Sequence, residues 1–205
     1  MMGTPQAVAL LLSLNPLLAA GLVVLLIVVA WLFRRETATA RRHRRYRATA
    51  RRHRRYRATA ARVHQRLREL NGDGQRMSYL RKINPYVFEE LLLLAFERQG
   101  LKVERNASYS GDGGLDGKVF INGECWLIQA KRYSRAISPG HVRDFDALLS
   151  RAGQRGFFIH TGRTGQMSRA VCRTSSRLKI ISGQNLLRLL SGISLKEWSH
   201  ESPCY

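Results

Sequence analysis

Hydrophobic and polar positions divide the chain into two parts. Residues 7–33 hold no charged side chain; Ser13, Asn15 and Pro16 interrupt the first half, and 17–33 is continuously apolar. A bilayer core of about 30 Å takes about 20 apolar residues of helix. The pattern therefore predicts a transmembrane anchor at 7–33, its helix starting near Asn15 with Pro16 in the first turn. After residue 84 the pattern alternates between helix and strand periods. Asn84 is placed to cap a helix over 85–99 that Gly100 ends. A strand at 101–107 and a glycine-rich turn at 111–114 follow. Strands at 115–121 and 124–133 then flank Asn122–Gly123, a strong hairpin signal. Beyond them come a helix at 138–152, a strand at 156–161, a helix at 166–175, a strand at 179–181 and a helix at 184–190. This order predicts an α/β domain at 78–192, a mixed central sheet flanked by helices, with a tail at 193–205.

Charge sharpens the division. The chain has 35 Lys and Arg against 14 Asp and Glu, a net charge of +21. Residues 34–68 carry 15 Arg and one Glu, net +14, leaving +7 for the remainder. No Lys or Arg precedes Phe33, and Arg34–Arg35 follow it at once. The positive-inside rule then puts the N-terminus outside and everything after residue 34 in the cytoplasm, as in a single-pass protein of a bacterial-type inner membrane. Residues 38–47 and 48–57 are the same ten-mer, ATARRHRRYR. Ten residues of helix turn through whole turns plus about 280°, so the two copies put their arginines on different faces. A segment 34–77 of repeat and linker fits anionic lipid, a solvated spacer or a DNA-binding arm. Cys125, Cys172 and Cys204 lack CxxC spacing, which argues against a zinc site and a disulfide scaffold.

The hairpin carries the candidate chemistry. A two-residue turn at Asn122–Gly123 pairs Ile121 with Glu124, and continuing that register sets Asp116 opposite Gln129. Lys131, two residues further, shares the face of Gln129. A carboxylate and an amide oxygen suit a hard cation such as Mg²⁺, and a nearby lysine can stabilise charge developing on a phosphate.

At these residues the sequence resembles the Mrr-like restriction endonucleases of the PD-(D/E)xK superfamily, in which Gln can replace the middle acid. The likeness runs through Phe88–Glu89, Gly111-Asp-Gly-Gly-Leu-Asp116 and Gln129-Ala-Lys131-Arg-Tyr133 in order, and covers about residues 84–190. Two positions depart from the pattern: Ser182 stands where Asp is frequent, and His160-Thr-Gly162 replaces a run of threonines. The resemblance implies a restriction-endonuclease-like core, with Asp116 and Gln129 binding a divalent metal, Lys131 as catalytic lysine and Glu89 assisting from its helix.

The expected function is a membrane-anchored, Mg²⁺-dependent (or Mn²⁺-dependent) DNA endonuclease, acting in restriction of foreign or modified DNA or in DNA processing. The alternative is a non-catalytic nuclease fold that tethers DNA to the inner membrane. Expected partners are DNA, anionic inner-membrane lipids along the arginine repeat, and a second copy of the chain in a homodimer.

Overall fold

The computed structural model describes residues 16–106 and 114–193, with side chains at 20–31, at 34 and from 49 onward. The chain divides into two compact units, Met1–Arg51 and Arg52–Tyr205. Helix α1 is Pro16–Glu69. Within the first unit Leu22 to Val29 and Trp31 are all exposed. Among the described residues no helix is long and apolar enough to cross a membrane. Residues 7–15 of the expected anchor lie outside those described.

In the second unit the remaining elements follow in order: α2 (Asp73–Leu80), α3 (Pro85–Arg98), β1 (Lys102–Arg105), β2 (Gly117–Ile121), β3 (Glu124–Lys131), α4 (Pro139–Ala152), β4 (Arg155–His160), α5 (Gln166–Thr174), β5 (Leu178–Ile181) and α6 (Gly183–Ser191). They form one five-stranded sheet in the order β1-β2-β3-β4-β5. The β1–β2 and β2–β3 pairs are antiparallel, and the β3–β4 and β4–β5 pairs are parallel. The predicted mixed sheet with flanking helices is the observed architecture. Asn84 caps α3 as expected, its side chain accepting from the Tyr86 amide at 2.9 Å.

Strand alternation builds a core on each face. Trp126, Ile128, Ala130, Phe157 and Ile159 share one core with residues of α3, α6 and α1. Leu127, Phe158, Leu178 and Ile180 share the other with Val142, Phe145 and Leu149 of α4 and Cys172 of α5. The inner strand β4 is buried at five of its six residues, which is why its sequence is an apolar run rather than an alternation.

Two features differ from the sequence expectation. Residues 71–74 break α1, with Gly72 at φ 85°, but Asp73 already opens α2. The stretch 34–77, expected as repeat and linker, also supplies core: Ala60, Val63 and Leu67 are 0 %, 4 % and 6 % exposed. Together with the half-buried His53 and Tyr56 they recur at helical spacing, so between residues 53 and 67 one face of α1 packs on the domain while the arginines of that stretch are exposed. Arginine on the remaining faces had hidden this stripe.

Candidate active site

Asn122 at φ 51° and Gly123 at φ 83° form the hairpin turn, both in the left-handed region that such a turn demands. The register runs from Ile121↔Glu124 to Gly117↔Ile128, as the turn predicts. It then changes. The Asp116 amide donates to the Ile128 carbonyl at 2.9 Å, so Asp116 and Gly117 share one partner and form a β-bulge. Asp116 is therefore not simply paired opposite Gln129, as continuation of the ladder would have it. Its Oδ2 instead accepts from the Ala130 amide at 2.6 Å, taking a backbone donor that the end of β2 leaves over. Gly117 lets α3 approach here, because a Cβ at that position would lie 2.7 Å from Cδ2 of Leu93.

Gln129 is buried. Its Nε2 donates to the Gly114 carbonyl at 2.8 Å, which fixes the amide orientation, and its Oε1 has no hydrogen-bond partner among the described residues. A buried, unpaired acceptor is costly. Lys131 ends β3, half-buried and two residues along from Gln129. Of the glycine-rich turn only Gly114 is described; Gly111, Asp112 and Gly113 lie outside the described residues.

Glu89 and Asp116 line one cavity with His53, Glu90, Leu93 and Arg105. Burial, followed by the charges of Asp116 and Glu90, pushes the Glu89 carboxyl up to about 8, with Lys131 opposing. Burial pushes Asp116 up to about 6, against the Ala130 hydrogen bond and Lys131. The charge of Lys131 thus reaches both carboxyls, and the two acids and the lysine act on one another as a group. Among the described residues no cluster of three or more His, Cys, Asp or Glu side chains is set to hold a metal. The oxygen donors at the strand end are the Asp116 carboxylate and the orphan amide oxygen of Gln129, a set that fits a hard cation.

Next to Glu89, Glu90 has a different environment. Its side chain is 2 % exposed, with Arg105 Nε at 2.8 Å and His53 Nδ1 at 3.6 Å. Arg105 also holds both oxygens of Glu97, at 2.5 and 2.8 Å. Sequence reasoning missed this cluster, although Glu90 and Glu97 stand seven residues, about two turns, apart on one face of α3. At the departures from the family pattern, Thr164 Oγ1 bonds both His160 Nε2, at 3.2 Å, and the Ser182 hydroxyl, at 3.1 Å. Burial pushes His160 down to about 4, so the ring is neutral.

The restriction endonuclease family of Mrr catalytic domains matches residues 80–190, more than half of the chain and a span within which the four candidate residues fall. The chain belongs to this family. No curated protein and no solved structure gives a match. The nuclease is accordingly an endodeoxyribonuclease of the restriction type, with DNA as its substrate. Nucleases of this superfamily generally use divalent metal ions.

Proposed function

We propose that the nuclease hydrolyses DNA phosphodiester bonds with Mg²⁺, or Mn²⁺, held by Asp116 and Gln129. The observation that carries this reading is the buried Gln129 Oε1, left without a partner two residues from Lys131 and beside the bulge that aims Asp116. Asp116 and Gln129 would hold the cation there, and it would supply polarisation of the phosphodiester and a lowered pKa for a water. Asp116 contributes a carboxylate whose orientation is set by the Ala130 amide. Lys131 supplies positive charge where the phosphate becomes more negative in the transition state. Burial and the neighbouring carboxyl of Asp116, which lines the same cavity, push the Glu89 carboxyl up to about 8 and so favour its protonated form at neutral pH in the metal-free protein. We further infer that residues 7–33 anchor the chain in an inner membrane with the nuclease in the cytoplasm, a reading supported by the charge asymmetry around Phe33. Restriction of foreign or modified DNA, or DNA processing, is the role this arrangement serves.

The test is cleavage of methylated, unmethylated and branched DNA by the full chain, with Mg²⁺ and with EDTA. The expected outcome is metal-dependent cutting that EDTA abolishes and that Asp116→Asn loses. Cleavage that persists in EDTA would overturn the metal assignment.

A further inference from the structure

Resting on the nuclease reading, we propose that the outward arginines of α1 between Arg52 and Arg66 are the surface on which the nuclease docks the phosphate backbone of DNA. Arg52, Arg54, Arg55, Arg57, Arg62 and Arg66 are all exposed. Arg66 pairs with Glu69 at 2.8 Å. Arg52, Arg54, Arg55 and Arg57 have no carboxylate within ion-pair distance among the described residues. A helix this basic, with so little internal compensation, is an electrostatic footprint for a polyanion.

The position of α1 says which polyanion. His53, inside the second copy of the ten-mer, lines the same cavity as Glu89 and Asp116. Arg52 and Arg54 are its chain neighbours, so the basic surface begins one residue from the cavity wall. Docking fixes this stretch of helix: Tyr56 packs on Tyr86 with ring centroids 5.4 Å apart, and Ala60, Val63 and Leu67 are buried in the core. A lipid tether or a spacer would work with arginines in any arrangement and needs no such docking. A rigid array beside the reacting groups suits phosphates repeating at fixed spacing: Arg52 to Arg66 spans about 21 Å of helix, the length of about six base pairs of duplex. At the end of β3 further basic groups are fixed in place. Arg132 donates to the Arg81 carbonyl at 2.9 Å, and Arg81 to the Thr161 carbonyl at 3.0 Å. Arginine thus stands next in the chain both to His53, on the cavity wall, and to Lys131 at the end of β3.

The experiment uses the full chain carrying Lys131→Ala, without divalent metal, and measures duplex affinity against salt. Combining Arg52→Gln, Arg54→Gln and Arg55→Gln should flatten the slope of log K against log salt by about 0.9 per lost phosphate contact, up to about 2.7. The matching triple in the first copy, Arg42→Gln, Arg44→Gln and Arg45→Gln, should shift it by less than one contact, about 0.9. Circular dichroism melting checks that both variants fold. An unchanged slope in the second-copy variant, or equal losses from either copy, overturns the proposal. An unchanged slope with weaker attachment to phosphatidylglycerol vesicles assigns these arginines to lipid instead. Because binding is read without metal in a chain that need not cut, either result leaves the catalytic assignment to its own test.

Discussion

Glu89 and Glu90 are adjacent on one helix and line one cavity, yet they belong to opposite kinds of polar cluster. Glu90 is paired through Arg105, which also holds Glu97, so the buried charges there are matched by hydrogen-bonded partners. Glu89 faces Asp116, another carboxyl, and both are pushed upward by burial; nearby Gln129 keeps an orphan oxygen. A buried cluster whose carboxylates are held in hydrogen-bonded ion pairs holds the fold together, whereas buried carboxyls with no ion-pair partner among the described residues are destabilising and are the kind of group retained for what it binds or does.

The largest effect that tests this contrast is on the satisfied side. Arg105→Ala leaves Glu90 buried without its main partner and should cost about 3–5 kcal/mol of stability, measured by urea unfolding. A loss below 1 kcal/mol would mean that the cluster is not structural. On the other side Lys131→Ala should lower kcat by about 10²–10³, or about 2.7–4 kcal/mol of transition-state stabilisation. The urea midpoint should stay near that of the parent, since Lys131 is only half-buried at the end of β3. If Lys131→Ala cuts as fast as the parent, the lysine has no catalytic part.

The third prediction concerns pH. Glu89 has a folded pKa of about 8, above its ordinary 4.5, so between these values the folded protein binds more proton than the unfolded. Stability from this group is complete below pH 4.5 and is lost as pH rises through 8, by up to about 1.4 kcal/mol per pH unit. In EDTA, Glu89→Gln should flatten the fall in unfolding free energy between pH 5 and 8; a curve parallel to that of the parent would remove Glu89 from the strained cluster.

The smallest effect comes from Gly114, which sits at φ 83° with the place of a Cβ 2.8 Å from Gln129 Nε2. Gly114→Ala should cost about 1–2 kcal/mol for the left-handed backbone and displace the Gln129 amide. Its signature is a raised Mg²⁺ requirement for cleavage, with little change in DNA affinity. An unaltered Mg²⁺ titration would show that the pinned amide does not serve the metal.

Much of the fold was legible because its signals are local. Asn122–Gly123 dictates a left-handed turn whatever surrounds it, and with the turn comes the register down to Gly117. Asn84–Pro85 starts α3, and Gly100 at φ 78° follows its end, each through the conformational preference of one or two residues. The spacing of Phe88–Glu89, Asp116 and Gln129-Ala-Lys131 is likewise a property of the chain itself, and it pointed to the family that the match over 80–190 then established.

What sequence alone determined, then, was the order of elements, the hairpin register as far as Gly117, the family and the identity of the candidate residues. Only the tertiary structure decided how their polar atoms are spent. The bulge that turns Asp116 onto the Ala130 amide, the tie of Gln129 to Gly114 and the docking of His53 beside Glu90 each join groups 14 or more residues apart. Turn and helix preferences act between near neighbours, where the chain's own geometry fixes the distance. Burial and Coulomb interactions act between whatever packing brings within a few ångströms. For that reason two adjacent glutamates of one helix have opposite surroundings, Glu90 ion-paired with Arg105 and Glu89 beside another carboxyl.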